Sequence, residues 1–464
     1  MADHAEGLPV AVVGAGPVGL AAAAELAERD VPAVVLEKGG SAGAAVAEWG
    51  HVRLFSTWRD LVSPAADKLL AGTGWTRPDE GAYPTGADWV HEYLEPLAAA
   101  LGERVRFGTE VVGVSRRGRD RVVDADREEQ PFTVRVRTAD GREERVLARA
   151  VVDASGTWAS PGPLGADGLP VPGEAAVADR LSYRVPDLGD PAVRARYAGR
   201  RTAVVGSGHS ALTALVALAD AAERDPGTHA VWVLRRGEVG DAFGGGDADQ
   251  LAARGALGER ARRAVESGHI TVEAGFRTTG VRAEGGRLVL TAEDGREPDP
   301  VDEAVVLTGF RPDLSLLSEV RLGLDATLQA PVALAPLIDP NVHSCGTVYP
   351  HGAQELSHPE PGFYLAGMKS YGRAPTFLAL TGFEQVRSIA AAIAGDHEAA
   401  AQVELVLPET GVCQGSGLPD AAEAAQVEAA GGGCCGPTAG PQPVEADPGA
   451  VAGAGKNLRA HRET

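Results

Sequence analysis

Two stretches of this chain share one local pattern that leaves few folds open: an apolar run, a turn of spaced glycines, a helical run and a second apolar run. The first reads LPVAVVG, then Gly14-Ala15-Gly16-Pro17-Val18-Gly19, then GLAAAAELAERD, then VPAVVLE ending at Glu37. The second reads RRTAVVGSG, with Gly206-Ser207-Gly208-His209-Ser210-Ala211, then SALTALVALADAAERD and HAVWVLRR ending at Arg235 and Arg236. Short apolar runs bounded by glycine predict strands buried on both faces, and the helical run between them predicts a crossover. Each stretch is thus a predicted βαβ unit, and the pair predicts an α/β chain with two Rossmann-like dinucleotide-binding domains.

The glycine spacing carries the chemistry. In G-x-G-x-x-G the first glycine allows a tight turn, the second lets backbone approach a pyrophosphate, and the third permits close helix-sheet packing. The helix that follows offers free N–H groups and the positive end of its dipole to the phosphates. Glu37 stands at the end of the second strand, where a carboxylate meets a ribose hydroxyl. In the second copy Ala211 replaces the third glycine, a change small enough to keep the packing. There Arg235 and Arg236 stand in place of the acid, and guanidinium groups suit a 2′-phosphate, which favours NADPH over NADH. Two solvated arginines at a strand end are the plain alternative.

Around these units the chain divides into four expected segments: residues 8–170, 171–328, 329–407 and 408–464. The second would be inserted into a first domain formed by the segments on either side of it. The stretch from RVRFGTEVVGVSRR to DASG carries alternating strand patterns and an Asp140-Gly141 turn, so an antiparallel element is expected there. The last segment is rich in Gly, Ala, Pro and Glu with few large apolar residues and predicts a flexible tail. A net charge of -21 argues against nucleic acid and anionic membrane as partners. The first apolar stretch holds three glycines, a proline and Glu25, so neither a signal peptide nor a membrane span is expected. The chain has four cysteines, Cys345, Cys413, Cys434 and Cys435, too few and too uneven for a secreted disulfide framework. A cytoplasmic setting is expected.

The two fingerprints, the DASG turn at Asp153–Gly156, the TGFRPD turn at Thr308–Asp313 and the FYLAG strand at Phe363–Gly367 together resemble the two-dinucleotide-binding-domain flavoproteins. That superfamily spans pyridine nucleotide-disulfide oxidoreductases and flavin monooxygenases. The resemblance implies FAD on the first fingerprint and NADPH on the second. The expected FAD set is Gly14, Gly16, Pro17, Gly19, Glu37, Lys38, Gly156, Gly367 and Thr376. For the nicotinamide nucleotide it is Gly206, Ser207, Gly208, His209, Ser210, Arg235 and Arg236, and Gly309 of the second turn is a further cofactor-binding candidate. Many relatives follow the FYLAG-like strand with Gly-Asp, the carboxylate holding the flavin ribityl chain, whereas here Met368 and Lys369 follow Gly367. Downstream, Ala374-Pro375-Thr376-Phe377 is expected to open a helix with proline in its first turn.

Relatives that reduce disulfides pass electrons to a cysteine pair near the flavin, but no cysteine precedes Cys345 here. A monooxygenase is therefore the leading expectation, with NADPH reducing the flavin and dioxygen giving a flavin hydroperoxide that oxidises a soft nucleophile. HVRLFSTWRDLVSPAA at 51–66 and MKSYGRAPTFLALTGFEQVRS at 368–388 resemble flavoprotein monooxygenases encoded with arsenic-resistance genes, which implies a trivalent arsenical as substrate. Arg53, Trp58 and Arg373 are the catalytic candidates. Phe55 and Arg59 flank them in a segment that could wall the flavin cavity or pack as an aromatic loop. Cys413, Cys434 and Cys435 are candidate thiolate ligands for As(III), against incidental cysteines in a tail. Cys345 reads as a buried inert thiol. His343, His351 and His358 read as surface loop residues and suggest no metal site. Two other readings stay open: an NADPH-dependent reductase using the tail thiols, and a non-catalytic metalloid-binding redox sensor.

Overall fold

In a computed structural model, residues 7–244, 246, 249, 251–342, 351–375 and 377–403 are described. The first fingerprint folds as strand β1 (Val10–Val13), helix α1 (Pro17–Glu28) and strand β2 (Ala33–Leu36). Every residue of β1 and β2 is buried, as strands covered on both faces must be. Strand β3 (Val105–Arg106) extends the sheet beyond β2. On the other side of β1 lie β7 (Ala150–Asp153) and then β15 (Phe363–Leu365), all parallel, in the order β15-β7-β1-β2-β3. β4 (Thr109–Arg116), β5 (Phe132–Thr138) and β6 (Glu143–Ala148) form the expected antiparallel layer.

The second fingerprint repeats the arrangement. β9 (Arg201–Val205), helix α2 (His209–Ala222) and β10 (His229–Val233) form the unit. The parallel sheet runs β11-β10-β9-β14-β8, with β8 Leu181–Ser182, β11 Ile270–Glu273 and β14 Glu303–Val306. In both sheets the chain leaves the central strand in opposite directions, to β2 and β7 in one and to β10 and β14 in the other. That topological switch point is where open α/β sheets bind ligands.

Two elements escape the sequence patterns. Helix α3 (Ala252–Glu266) packs against α2, and β12 (Thr278–Glu284) pairs with β13 (Arg287–Ala292) around a Gly285-Gly286 turn with both φ positive. The chain then returns, and helix α4 (Ala379–Ala394) packs along α1. Helix α4 corrects an expectation: it begins at Ala379 rather than at Pro375. Phe377 is the physical reason. Its ring stands 4.8 Å from that of Tyr371 and also covers Gly382, where a Cβ would lie 3.0 Å from it, so the segment before the helix folds back across the first turn. Among the described residues no helix is long and apolar enough to cross a membrane.

Candidate functional site

At the end of β1, Gly14 takes φ +97° and its N–H donates to the Leu36 carbonyl. A Cβ on Gly19 would sit 2.0 Å from the Gly14 carbonyl oxygen, so only glycine lets α1 start this close to the turn. Gly16 differs: a Cβ there would meet nothing, so it faces open space. Pro17 then opens α1, where its missing N–H costs nothing. The Glu37 carboxylate closes the turn by accepting from Ala15 N–H and Gly39 N–H, each at 2.7 Å. Each oxygen keeps acceptor capacity for a ribose hydroxyl. Lys38 is exposed beside it.

The opposite wall comes from β7 and β15. Ala154 and Ser155 lie against Gly14, and Gly156 turns at φ +68° with open space at its Cα. Gly367, at φ +69°, abuts Val18 on α1, and its N–H donates to Gln385 Oε1 of α4 at 2.8 Å. Gln385 also bonds His351 and Ser370 at 3.0 Å. Glycine turns with open space, the N–H donors of a helix N-terminus and an acidic acceptor form a set that fits a dinucleotide such as FAD. Thr376 lies outside the described residues.

At the second turn Gly206 takes φ +134°, and a Cβ there would lie 2.2 Å from the Leu307 carbonyl oxygen. Trp232 Nε1 holds the Gly206 carbonyl at 2.8 Å. Gly208 faces open space, and Ser210 is exposed on the first turn of α2. Ala211 is fully buried, as packing at the third-glycine position requires. His209 is held down to about 4, chiefly by burial and further by the charge of Arg254, so its imidazole is neutral near pH 7. Phe55, from the segment after β2, meets the His209 ring edge-on, with ring centroids 5.4 Å apart. Arg235 is exposed and donates to the Ala166 carbonyl at 3.0 Å, whereas Arg236 is buried, so Arg235 is the one with a solvent-facing side chain. Ser207 is half-buried beside the turn.

The links between the sheets run antiparallel. Gly162 N–H donates to the Gly309 carbonyl, Arg311 N–H to the Ser160 carbonyl, and Pro161 bridges Phe310. Gly309 is at φ +95°. Beside this link the Arg184 guanidinium lies 3.9 Å over the Trp158 ring, which stacks on Phe310 at 5.0 Å and donates from Nε1 to Glu48 at 2.7 Å. The sequence offered one signal for this cluster: a tryptophan just beyond the DASG turn.

The three catalytic candidates occupy separate settings. Arg53 is exposed and donates to the Tyr83 carbonyl. Arg373 is exposed, with Nε 2.8 Å from Gln329 Oε1. Trp58, at 3% exposure, is enclosed in the core and opens a short turn, Trp58–Leu61, that packs against α4. A second correction concerns the histidines. His351 is buried against Gln385, and half-buried His358 accepts from Gly323 N–H while desolvation holds it down to about 4, so neither is a freely solvated group. His343, Cys345, Cys413, Cys434 and Cys435 lie outside the described residues.

Comparison with known proteins agrees with this architecture. A stretch of 106 residues is 41% identical to indole-3-pyruvate monooxygenase YUCCA1 of Oryza sativa subsp. japonica, covering 22% of this chain and 23% of that protein, so the match spans about a quarter of the relative. The fold is similar to that of bacillithiol disulfide reductase from Bacillus cereus, with a TM-score of 0.62, 19% identity, and 84% of this chain and 99% of that one covered. It is also similar to the cadaverine monooxygenase DfoA of Erwinia amylovora, with a TM-score of 0.60, 14% identity, and 86% and 97% covered. Residues 11–333 match the pyridine nucleotide-disulphide oxidoreductase family. With both dinucleotide folds in place and most of its length matched, the chain belongs to that family of oxidoreductases.

Proposed function

We propose that this enzyme is an FAD- and NADPH-dependent monooxygenase that transfers one oxygen atom of dioxygen to a soft nucleophile, with a trivalent arsenical as the substrate class. The observation that carries the reading is the cysteine map: no cysteine precedes Cys345, so both fingerprints and both links between the sheets are free of thiols. A cysteine pair set within either unit is therefore no electron acceptor. The stretch 41% identical to a monooxygenase supports the same choice. Gly14, Gly16 and Glu37 would hold the flavin dinucleotide, which would supply hydride acceptance from NADPH and two-electron chemistry with oxygen, while the chain would orient and shield it. The arsenical follows from the resemblance of residues 51–66 and 368–388, and from Cys413, Cys434 and Cys435 as soft donors that suit a thiophilic centre. Arg235 is the proposed ligand of the 2′-phosphate. A reducing, cytoplasmic compartment suits these thiols.

The test is NADPH consumption under air and under nitrogen, with arsenite, methylarsenite and organic sulfides as substrates and the arsenic products speciated. Consumption should need oxygen, rise with a trivalent arsenical and yield the pentavalent oxide, and Arg235→Ala should erode the preference over NADH. No acceleration by any of these nucleophiles sinks the proposal.

The vicinal pair Cys434-Cys435 favours a second reading, a reductase that uses its tail thiols. That reading requires turnover without oxygen that disappears when both cysteines become serine.

A further inference from the structure

Lys369 is buried to 1% of its side-chain surface in the turn that follows β15. Its Nζ donates to Asp153 Oδ2 at 2.7 Å and to Ser155 Oγ at 3.0 Å. Asp153, fully buried at the end of β7, accepts on Oδ1 from Ser155 N–H at 3.1 Å and Ser155 Oγ–H at 2.6 Å. The pair thus clamps Ser155, and Ser155 is the residue whose Cα would lie 3.1 Å from a Cβ on Gly14. An ammonium carries three N–H donors, and among the described residues two acceptors meet it.

Burying two charges is costly, and a well-packed apolar pair of similar volume often serves stability better. The sequence nevertheless places this pair at the ends of adjacent strands, beside the first glycine turn. The charge is felt beyond its own site. Exposed Asp313 is held below the usual carboxylate range first by its bonds with Ser315, and also by the charges of Lys369 and Lys38.

We propose that Lys369, locked by Asp153, is a positioning residue for FAD: from within the core it fixes the Ser155–Gly156 wall against Gly14 and sets its buried charge behind that wall, on the side the diphosphate would take. A negative diphosphate gains from a fixed cation held in low dielectric, more than from a solvated lysine. Lys38 supplies only such a solvated charge.

The test uses the purified full-length holoprotein. FAD release on dilution is followed by the rise of free-flavin fluorescence, at low and high salt, for the parent, Lys369→Met, Lys369→Arg and the double variant Asp153→Asn/Lys369→Met. Circular dichroism reports folding in parallel. Lys369→Met should weaken FAD binding by about tenfold or more, because Ser155 loses the bond that holds its wall in place. Lys369→Arg should restore most of it. The double variant carries no unpaired buried charge and should fold, yet it should still hold FAD weakly and with a shallower salt dependence. If the double variant retains FAD within about twofold of the parent, the pair serves only packing and the proposal falls. Should Lys369→Met fail to fold, the double variant alone decides. Oxygen plays no part in this readout, so its outcome is independent of whether the enzyme is a monooxygenase.

Discussion

The glycines of the second fingerprint separate folding from binding within three residues. At Gly206 the backbone lies at φ +134° and a Cβ would strike the Leu307 carbonyl, whereas Gly208 is in an ordinary extended conformation with open space around it. Gly206→Ala should therefore destabilise the protein by about 2 kcal/mol or more, read as a lowered thermal midpoint. Gly208→Ala should leave that midpoint nearly unchanged and raise the Kd for NADPH, because its methyl takes the space the pyrophosphate needs. Equal effects from both changes would contradict this division. Roles of this kind were legible in the sequence because glycine spacing is local. Lys369 and the neutral His209 were not, since their character comes from neighbours distant in the chain, Asp153 for one, and burial with the charge of Arg254 for the other.

Elements far apart in sequence are tied by a buried cluster that periodicity could not announce. Glu360, just before β15, accepts from Arg116 Nε at the end of β4 at 2.7 Å and from Arg127 Nε and Nη2 in the β4–β5 connection at 3.2 and 2.7 Å. All three side chains are at most 4% exposed. Burial alone would raise the Glu360 carboxyl, but hydrogen bonds from Arg127 and Arg116 outweigh it and hold it below its usual value of 4.5. Replacing Glu360 by Gln leaves two buried guanidinium groups without a counter-charge, a loss of about 3–5 kcal/mol in chemical denaturation near pH 7. The sign of the pH dependence follows from the depressed carboxyl. Its contribution is complete above the unfolded-state value and is lost as pH falls through the folded-state value, so the gap between parent and Glu360→Gln should narrow below about pH 4.5. A gap that stays constant with pH would mean that the charge is irrelevant. Strands β1, β2, β9 and β10 and helices α1 and α2 were readable because each buries its own continuous apolar run. Helix α3 and the β12–β13 hairpin were not, since six of the fifteen residues of α3 are charged and break its apolar run, and its burial is set by α2. The delayed start of α4 depends on one ring, Phe377, folding over Gly382.

For the whole molecule, the proposed function requires that a nicotinamide and a flavin, one on each dinucleotide fold, be brought to each other, which neither sheet achieves alone. Binding to each fold is a local matter, but hydride transfer demands near-contact geometry, where small misplacements are costly. The cluster of Glu48, Trp158, Arg184 and Phe310 is placed to govern that geometry. Arg184 follows β8 of the second sheet, Glu48 follows β2 of the first, and their side chains approach to 4.0 Å across the stacked rings carried by the two links. Burial lowers the Arg184 pKa, yet it stays a cation, so the stack gains both dispersion and charge-quadrupole attraction in a partly dry setting. Trp158→Ala removes the platform and the Nε1 donor to Glu48 together. In stopped flow it should slow bleaching of the flavin by NADPH by about tenfold or more, while titrations of FAD and of NADPH alone stay near the parent values. A variant that weakens both affinities and leaves the bleaching rate untouched would place the cluster in local folding instead, and the geometry between the two sheets would then rest on the antiparallel backbone links alone.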